Sequence, residues 1–150
     1  MLLATILAGC GGSRGKSVVV TGADYSFSAP AGWSIAHTGR RVSVSQGNEI
    51  VQVSTFPLAR AYTPALFDAV QPEIARVATQ LKNQLHATLA SRTLDVAGRR
   101  AWQYDLVHGS VFEQVTFVLR GKREYQLYCR RGTGDSDAAC ARLVDSFSLD

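Results

Sequence analysis

Four strand-like segments follow one another between Arg92 and Arg130, and the connections between them are too short for anything but reversal. The segments are Arg92 to Val96, Arg100 to Val107, Val111 to Leu119 and Glu124 to Arg130, separated by Ala97-Gly98, His108-Gly109-Ser110 and Arg120-Gly121-Lys122. A crossover to a parallel neighbour needs about a dozen residues or more, so these strands form an antiparallel meander. Apolar residues alternate along them. The alternation assigns Trp102, Tyr104 and Leu106, then Val115, Phe117 and Leu119, then Tyr125, Leu127 and Cys129, to one shared core face.

Upstream, Val18-Val19-Val20 and Tyr25-Ser26-Phe27 read as short strands, with Pro30-Ala31-Gly32 as a turn before Trp33-Ser34-Ile35. Val42 to Val44 and Ile50 to Ser54 flank Gln46-Gly47-Asn48, a hairpin whose Gly and Asn tolerate positive φ. The period then changes. Leu66, Val70, Ile74, Val77, Leu81, Leu85 and Leu89 recur every three or four residues, one apolar face of a helix. Thr63 is its expected cap and Pro64 its first turn. Pro72 predicts a kink, or a short helix followed by a longer one from about Pro72 to Ala90. A last helix is expected from Ser136 to Phe147, capped by Asp135, with Ala139, Leu143, Val144 and Phe147 facing inward. Strands, a helix, a meander and a closing helix make an α+β order. At 150 residues, 46% of them hydrophobic, the chain can bury one core, so residues 18–150 are read as a single monomeric domain.

The amino terminus reads as an address. Residues 1–9 are uncharged and apolar, and Leu7-Ala8-Gly9-Cys10 resembles the lipobox of bacterial lipoproteins, which implies cleavage before Cys10 and acylation of its thiol. Two or three acyl chains hold a protein at a membrane where one binds only marginally. A signal peptide begins with Lys or Arg; none precedes Cys10, so an upstream start or a trimmed leader is expected. Residues 10–17 then form the lipidated Cys and a Gly/Ser-rich tether. The Gly-Lys16-Ser17 that ends it lacks the preceding strand of a phosphate loop. Gly11, in place of Asp, leaves open which membrane is occupied. With Cys10 assigned to lipid, Cys129 and Cys140 remain as one disulfide, as an oxidising, exported location allows.

The segment Tyr25-Ser-Phe27-Ser-Ala-Pro30-Ala-Gly32-Trp33, the hairpin, the long helix, Ala97-Gly98-Arg-Arg-Ala-Trp102-Gln-Tyr104 and the closing Leu143-Val-Asp-Ser-Phe147 together resemble the PsbP-like superfamily, including the LpqN-like actinobacterial lipoproteins. The resemblance implies an antiparallel sheet sandwiched by helices and a non-catalytic binding or assembly role. It transfers no partner, because no contact motif of that superfamily is identifiable here.

Chemistry is sparse. His37, His86 and His108 sit in unrelated contexts, no Ser occupies a Gly-x-Ser-x-Gly elbow, and no His-x-x-x-His or paired-carboxylate spacing offers a metal site. The reading is of a chain without catalytic residues, metal or cofactor. His86 and His108 are expected as solvated residues, the latter in a turn. Lys and Arg outnumber Asp and Glu by 16 to 12, a modest excess with no basic run interleaved with aromatics, which argues against nucleic acid. The meander does place Arg99, Arg100, Arg120, Lys122 and Arg123 at one end of the sheet, a basic patch suited to anionic headgroups or an acidic protein. Two functions fit: a lipid-anchored binding or assembly protein of the cell envelope with a protein partner, or a carrier of an apolar lipid or glycolipid held between sheet and helix. An envelope hydrolase would need a hidden nucleophile.

Overall fold

The computed structural model describes residues 15–150; the expected signal peptide, the expected lipidation site Cys10 and most of the expected tether lie outside the described residues. Seven strands form the main sheet: β3 (Ser34–Thr38), β4 (Arg41–Gln46), β5 (Glu49–Pro57), β6 (Thr88–Val96), β7 (Arg99–His108), β8 (Val111–Arg120) and β9 (Arg123–Gly132). Their order across the sheet is β3-β4-β5-β9-β8-β7-β6. A second sheet joins β1 (Ser17–Thr21), β2 (Tyr25–Pro30) and β10 (Ser148–Leu149) in the order β1-β2-β10. Every pairing is antiparallel.

Helix α1 spans Pro64–Leu85 without a break at Pro72. Thr63 Oγ1 accepts the Leu66 N–H and caps the start. The single backbone bond that Pro72 removes is tolerated inside so long a helix, and the expected second helix reaching Ala90 does not form. His86, at φ 52°, turns the chain out in the left-handed region, and the Ala87 N–H closes onto the Lys82 carbonyl. Residues 88–96 pair instead along the whole of β7, which puts Leu89 opposite Leu106 as part of a strand. Tertiary pairing overrides the helical spacing there.

The core is two cores. Arg120 pairs with Arg123 across a two-residue turn, so Leu119 stands opposite Glu124 and Val118 opposite Tyr125. Side chains alternate faces along a strand; Tyr125, Leu127 and Cys129 therefore lie on the face opposite Trp102, Tyr104, Val115, Phe117 and Leu119, and the single shared face expected from the alternation is corrected. On one side Phe67 and Ala78 of α1 pack on Trp102, Tyr104 and Leu119. On the other, Val42, Val44, Val51, Val53, Leu127 and Cys129 meet Tyr25, Phe27 and Ala29 of the small sheet and helix α2 (Ala138–Ser146). The sheet is thus helix-covered in part on one face and covered by a second sheet plus a short helix on the other, rather than sandwiched by helices alone.

α2 starts later than its sequence suggests. Its cap position is Asp137, which makes no side-chain capping bond; the Asp135 carboxylate accepts the Gly132 N–H instead and closes the turn out of β9. The disulfide Cys129–Cys140 ties α2 to β9, with the Cα atoms 5.4 Å apart. The small sheet is fastened to the large one by Asp24, whose Oδ2 accepts the Tyr125 hydroxyl at 2.6 Å and the Arg123 guanidinium.

Candidate functional site: a groove beside helix α1

A seven-stranded sheet is about 30 Å wide at the usual strand spacing, whereas one helix with its side chains covers about 10–12 Å. α1 packs against β6 and β7. Its apolar face overhangs the neighbouring strands, and among the described residues no second helix meets it. Phe67 and Ala78 are buried, but Val77, Leu81 and Leu85 are 47%, 41% and 38% exposed. They form one wall of a cavity of about 520 Å³, and Leu106, Val115 and Phe117 of the sheet form its floor. From Ile74 to Leu85 the helical wall rises about 17 Å at 1.5 Å per residue, enough to lie along an extended apolar chain.

Carboxylates edge the groove. Glu113 and Tyr128 line it where β7 and β8 turn, and Glu73 and Glu124 line it nearer the other end. Tyr128 donates its hydroxyl to Glu113 Oε1 at 2.5 Å, and His108 Nε2 lies 3.1 Å from Glu113 Oε2. Burial pushes the Tyr128 phenol well above its ordinary value, with the Glu113 hydrogen bond and charge adding to the shift. Tyr128 is therefore a neutral donor throughout the physiological range. His108 is the last residue of β7, paired with Val111, and is partly buried, not a turn residue open to solvent. This His108–Glu113–Tyr128 contact links residues of three strands. The β7–β8 hairpin brings His108 and Glu113 together, and the β8–β9 register delivers Tyr128 opposite Val115. No spacing in the sequence announces it.

The other residues singled out by sequence fall elsewhere. His37 lies on the exposed edge strand β3 and His86 at the exposed C-terminus of α1. Among the described residues no three His, Cys, Asp or Glu side chains approach as metal ligands would, and no helix is long and apolar enough to cross a membrane. Arg99, Arg100, Arg120, Lys122 and Arg123 stand at one end of the sheet, where β7 begins and β8 turns into β9. Arg100 stacks over Phe67 and lies 3.6 Å from Asp68, and Arg123 is held by Asp24. Arg99 sits over the Tyr62 ring. Arg41, at the start of β4 opposite Ser54, and Arg40, whose carbonyl accepts the Thr55 N–H, extend the same end; both are absent from the sequence-derived patch because β4 is remote in the chain.

Against known proteins, no family model and no curated protein sequence matches the chain. Solved structures do. The solution structure of cyanobacterial PsbP (CyanoP) from Synechocystis sp. PCC 6803 superposes with a TM-score of 0.66 over 97% of this chain and 98% of that one, at 14% identity. A protein from Bacteroides thetaiotaomicron VPI-5482 gives a TM-score of 0.49 at 12% identity over 91% of this chain, which spans about half (49%) of that chain's length. The first likeness makes the fold PsbP-like. At such identity it speaks for fold alone.

Proposed function

We propose that this chain is a non-catalytic cell-envelope lipoprotein of the LpqN-like type, held at a bacterial membrane through Cys10, that binds an apolar ligand in the groove between α1 and the sheet. The observation that carries the reading is the half-used apolar stripe of α1: Phe67 and Ala78 are enclosed, while Val77, Leu81 and Leu85 stand open above an apolar floor. Leaving three large aliphatic side chains in water forfeits burial worth about 1.5–3 kcal/mol each when complete. A ligand covering them recovers part of it. Concave, mostly apolar sites with a few polar groups at the rim are the usual form of a small-molecule site. The Leu7-Ala8-Gly9-Cys10 motif and the Cys129–Cys140 disulfide support the address.

Native mass spectrometry of the protein purified gently from its host's membranes tests the reading. A stoichiometric lipid-range adduct, lost from a Leu81→Arg variant, is expected. A clean protein mass from several preparations, or an adduct indifferent to Leu81→Arg, overturns it.

A second reading, an assembly module with an acidic partner, is favoured by the arginine-rich end of the sheet, where Arg99, Arg120 and Lys122 make no ion pair with a described acidic residue.

A further inference from the structure

We infer that a second site, on the face of the main sheet opposite the groove, binds a small zwitterion: a free amino acid with an aliphatic side chain. The site shares no residue with the groove and stands whether or not the groove takes a ligand.

Most of that face is apolar core, where Val96, Ala101, Val118, Tyr125 and Leu127 are buried. A row of polar side chains crosses its middle. Register sets Arg92 of β6 beside Gln103 of β7 and Thr116 of β8, and one step along it sets Asp105 beside Gln114. Gln103, Gln114 and Thr116 are buried, and a buried polar group costs free energy unless its hydrogen bonds are made. Here they are made with charged neighbours. Gln103 accepts the Arg92 Nε–H at 2.6 Å and donates to Thr116 Oγ1 at 2.8 Å, and Gln114 donates to Asp105 Oδ1 at 2.9 Å.

The result is a pair of opposite charges held apart. Arg92 and Asp105 are diagonal neighbours on adjacent strands, a separation that a long side chain spans, yet they form no ion pair, and each takes an amide instead. The Arg92 Nη groups and Asp105 Oδ2 have no partner among the described residues, and both side chains line a cavity of about 340 Å³ between the sheet and α2. Arg131 adds a second guanidinium, its Cζ 4.2 Å from the Phe112 ring centroid; its Nη1 donates to the Gly132 and Asp135 carbonyls, and its buried Nε has no partner. α2, pinned to β9 by the disulfide, supplies the other wall with Val144, Asp137 and Asp145.

This lining selects its ligand. The volume is at the small end for ligand sites. A lone carboxylate meets Asp105, Asp137 and Asp145, and a lone ammonium meets Arg92 and Arg131. A molecule with both charges a few bonds apart answers both: its carboxylate turns to Arg92, whose planar fork matches two carboxylate oxygens, and its ammonium donates to Asp105 Oδ2. Leu94 and Val144 receive the aliphatic side chain.

Calorimetric titration of the full chain with leucine, isocaproate and isoamylamine separates these chemistries, because the last two are leucine without its ammonium and leucine without its carboxylate. Leucine is expected to bind with a Kd below about 1 mM and at least about tenfold tighter than either analogue. Asp105→Asn keeps an acceptor for Gln114 and removes the charge, and is expected to weaken leucine about tenfold. Leu81→Arg, in the groove on the other face, is expected to leave leucine binding unchanged. No leucine binding below about 1 mM, an analogue that binds as tightly, or an affinity unmoved in folded Asp105→Asn overturns the inference, and loss of leucine binding in Leu81→Arg overturns it by moving the ligand to the groove. The wild-type series decides the matter even where Asp105→Asn fails to fold.

Discussion

Phe67 of α1 lies flat on Trp102 of β7, ring centroids 3.5 Å apart and planes 9° from parallel. This contact fixes the N-terminal half of the helix to the sheet, and Arg100 closes over the outer face of Phe67. The C-terminal half has no such anchor, and there the groove opens. Truncating the anchor removes buried aromatic area and leaves a cavity, so Phe67→Ala should cost about 3–5 kcal/mol of unfolding free energy in urea titration. A loss below 1 kcal/mol would mean that α1 is held by something else.

The groove wall should behave in the opposite way. Val77 and Leu81 are 47% and 41% exposed, so Val77→Asp with Leu81→Asp should cost about 1–2 kcal/mol, less than the loss of Phe67, while abolishing binding of any apolar probe. Urea titration and probe fluorescence on the same protein distinguish this from unfolding. Large destabilisation would place these side chains in the folding core instead.

Much of this arrangement is legible in the chain before folding is considered. Alternation in residues 99–132 locates the strands, and Gly47, Gly98, Gly109 and Gly121 mark tight turns with φ between 54° and 70°. Face assignment fails because it depends on turn length counted to the residue: a two-residue turn at Gly121-Lys122 pairs odd with even positions, and Tyr125 crosses to the other side. The helix end fails for another reason. Leu89 continues the helical spacing equally well, and only the competing pairing with β7 decides it. His108, Glu113 and Tyr128 meet through two registers that local pattern does not encode, and the exposure of Val77, Leu81 and Leu85 depends on what a helix fails to meet. The cysteine pairing, by contrast, follows from the count once Cys10 is read as the acylated residue.

Ala97 occupies the left-handed region at φ 51°, before Gly98 at φ 70° in the β6–β7 turn. A side chain with a Cβ is strained there by about 1–2 kcal/mol. Ala97→Gly or Ala97→Asn should raise stability by about 0.5–1 kcal/mol, seen as a higher denaturation midpoint with an unchanged slope. An unchanged or lowered midpoint for both variants contradicts the turn geometry.

Reduction of Cys129–Cys140 frees α2 from β9. A bridge closing so short a loop contributes about 3 kcal/mol in the loop-entropy model, so Cys140→Ser or dithiothreitol should lower the urea midpoint accordingly. Because α2 packs on the face opposite the groove, probe binding below the unfolding transition should persist. Loss of binding on reduction in a still-folded protein would show that the two faces are coupled.

Alkaline pH should loosen the junction of the two sheets. Burial pushes Tyr25 up to about 12, with the Asp24 charge adding to it; burial also pushes Tyr125 up to about 12, with its hydrogen bond to Asp24 and the charge of Asp24 outweighing Arg123. Both phenols ionise near pH 10 in the unfolded chain, so the unfolded state releases their protons first as pH rises. The stability tied to the neutral phenols is complete below pH 10 and is lost as pH climbs through about 12. Phenolate absorbance should therefore lag behind that of free tyrosine until unfolding, and the two signals should then rise together. Tyr125→Phe removes one titrating group and the donor to Asp24, so its stability should be lower at pH 7 but fall less steeply between pH 10 and 12. A parallel decline in both proteins would locate the alkaline sensitivity in phenols other than Tyr125, with Tyr25 and Tyr128 among them.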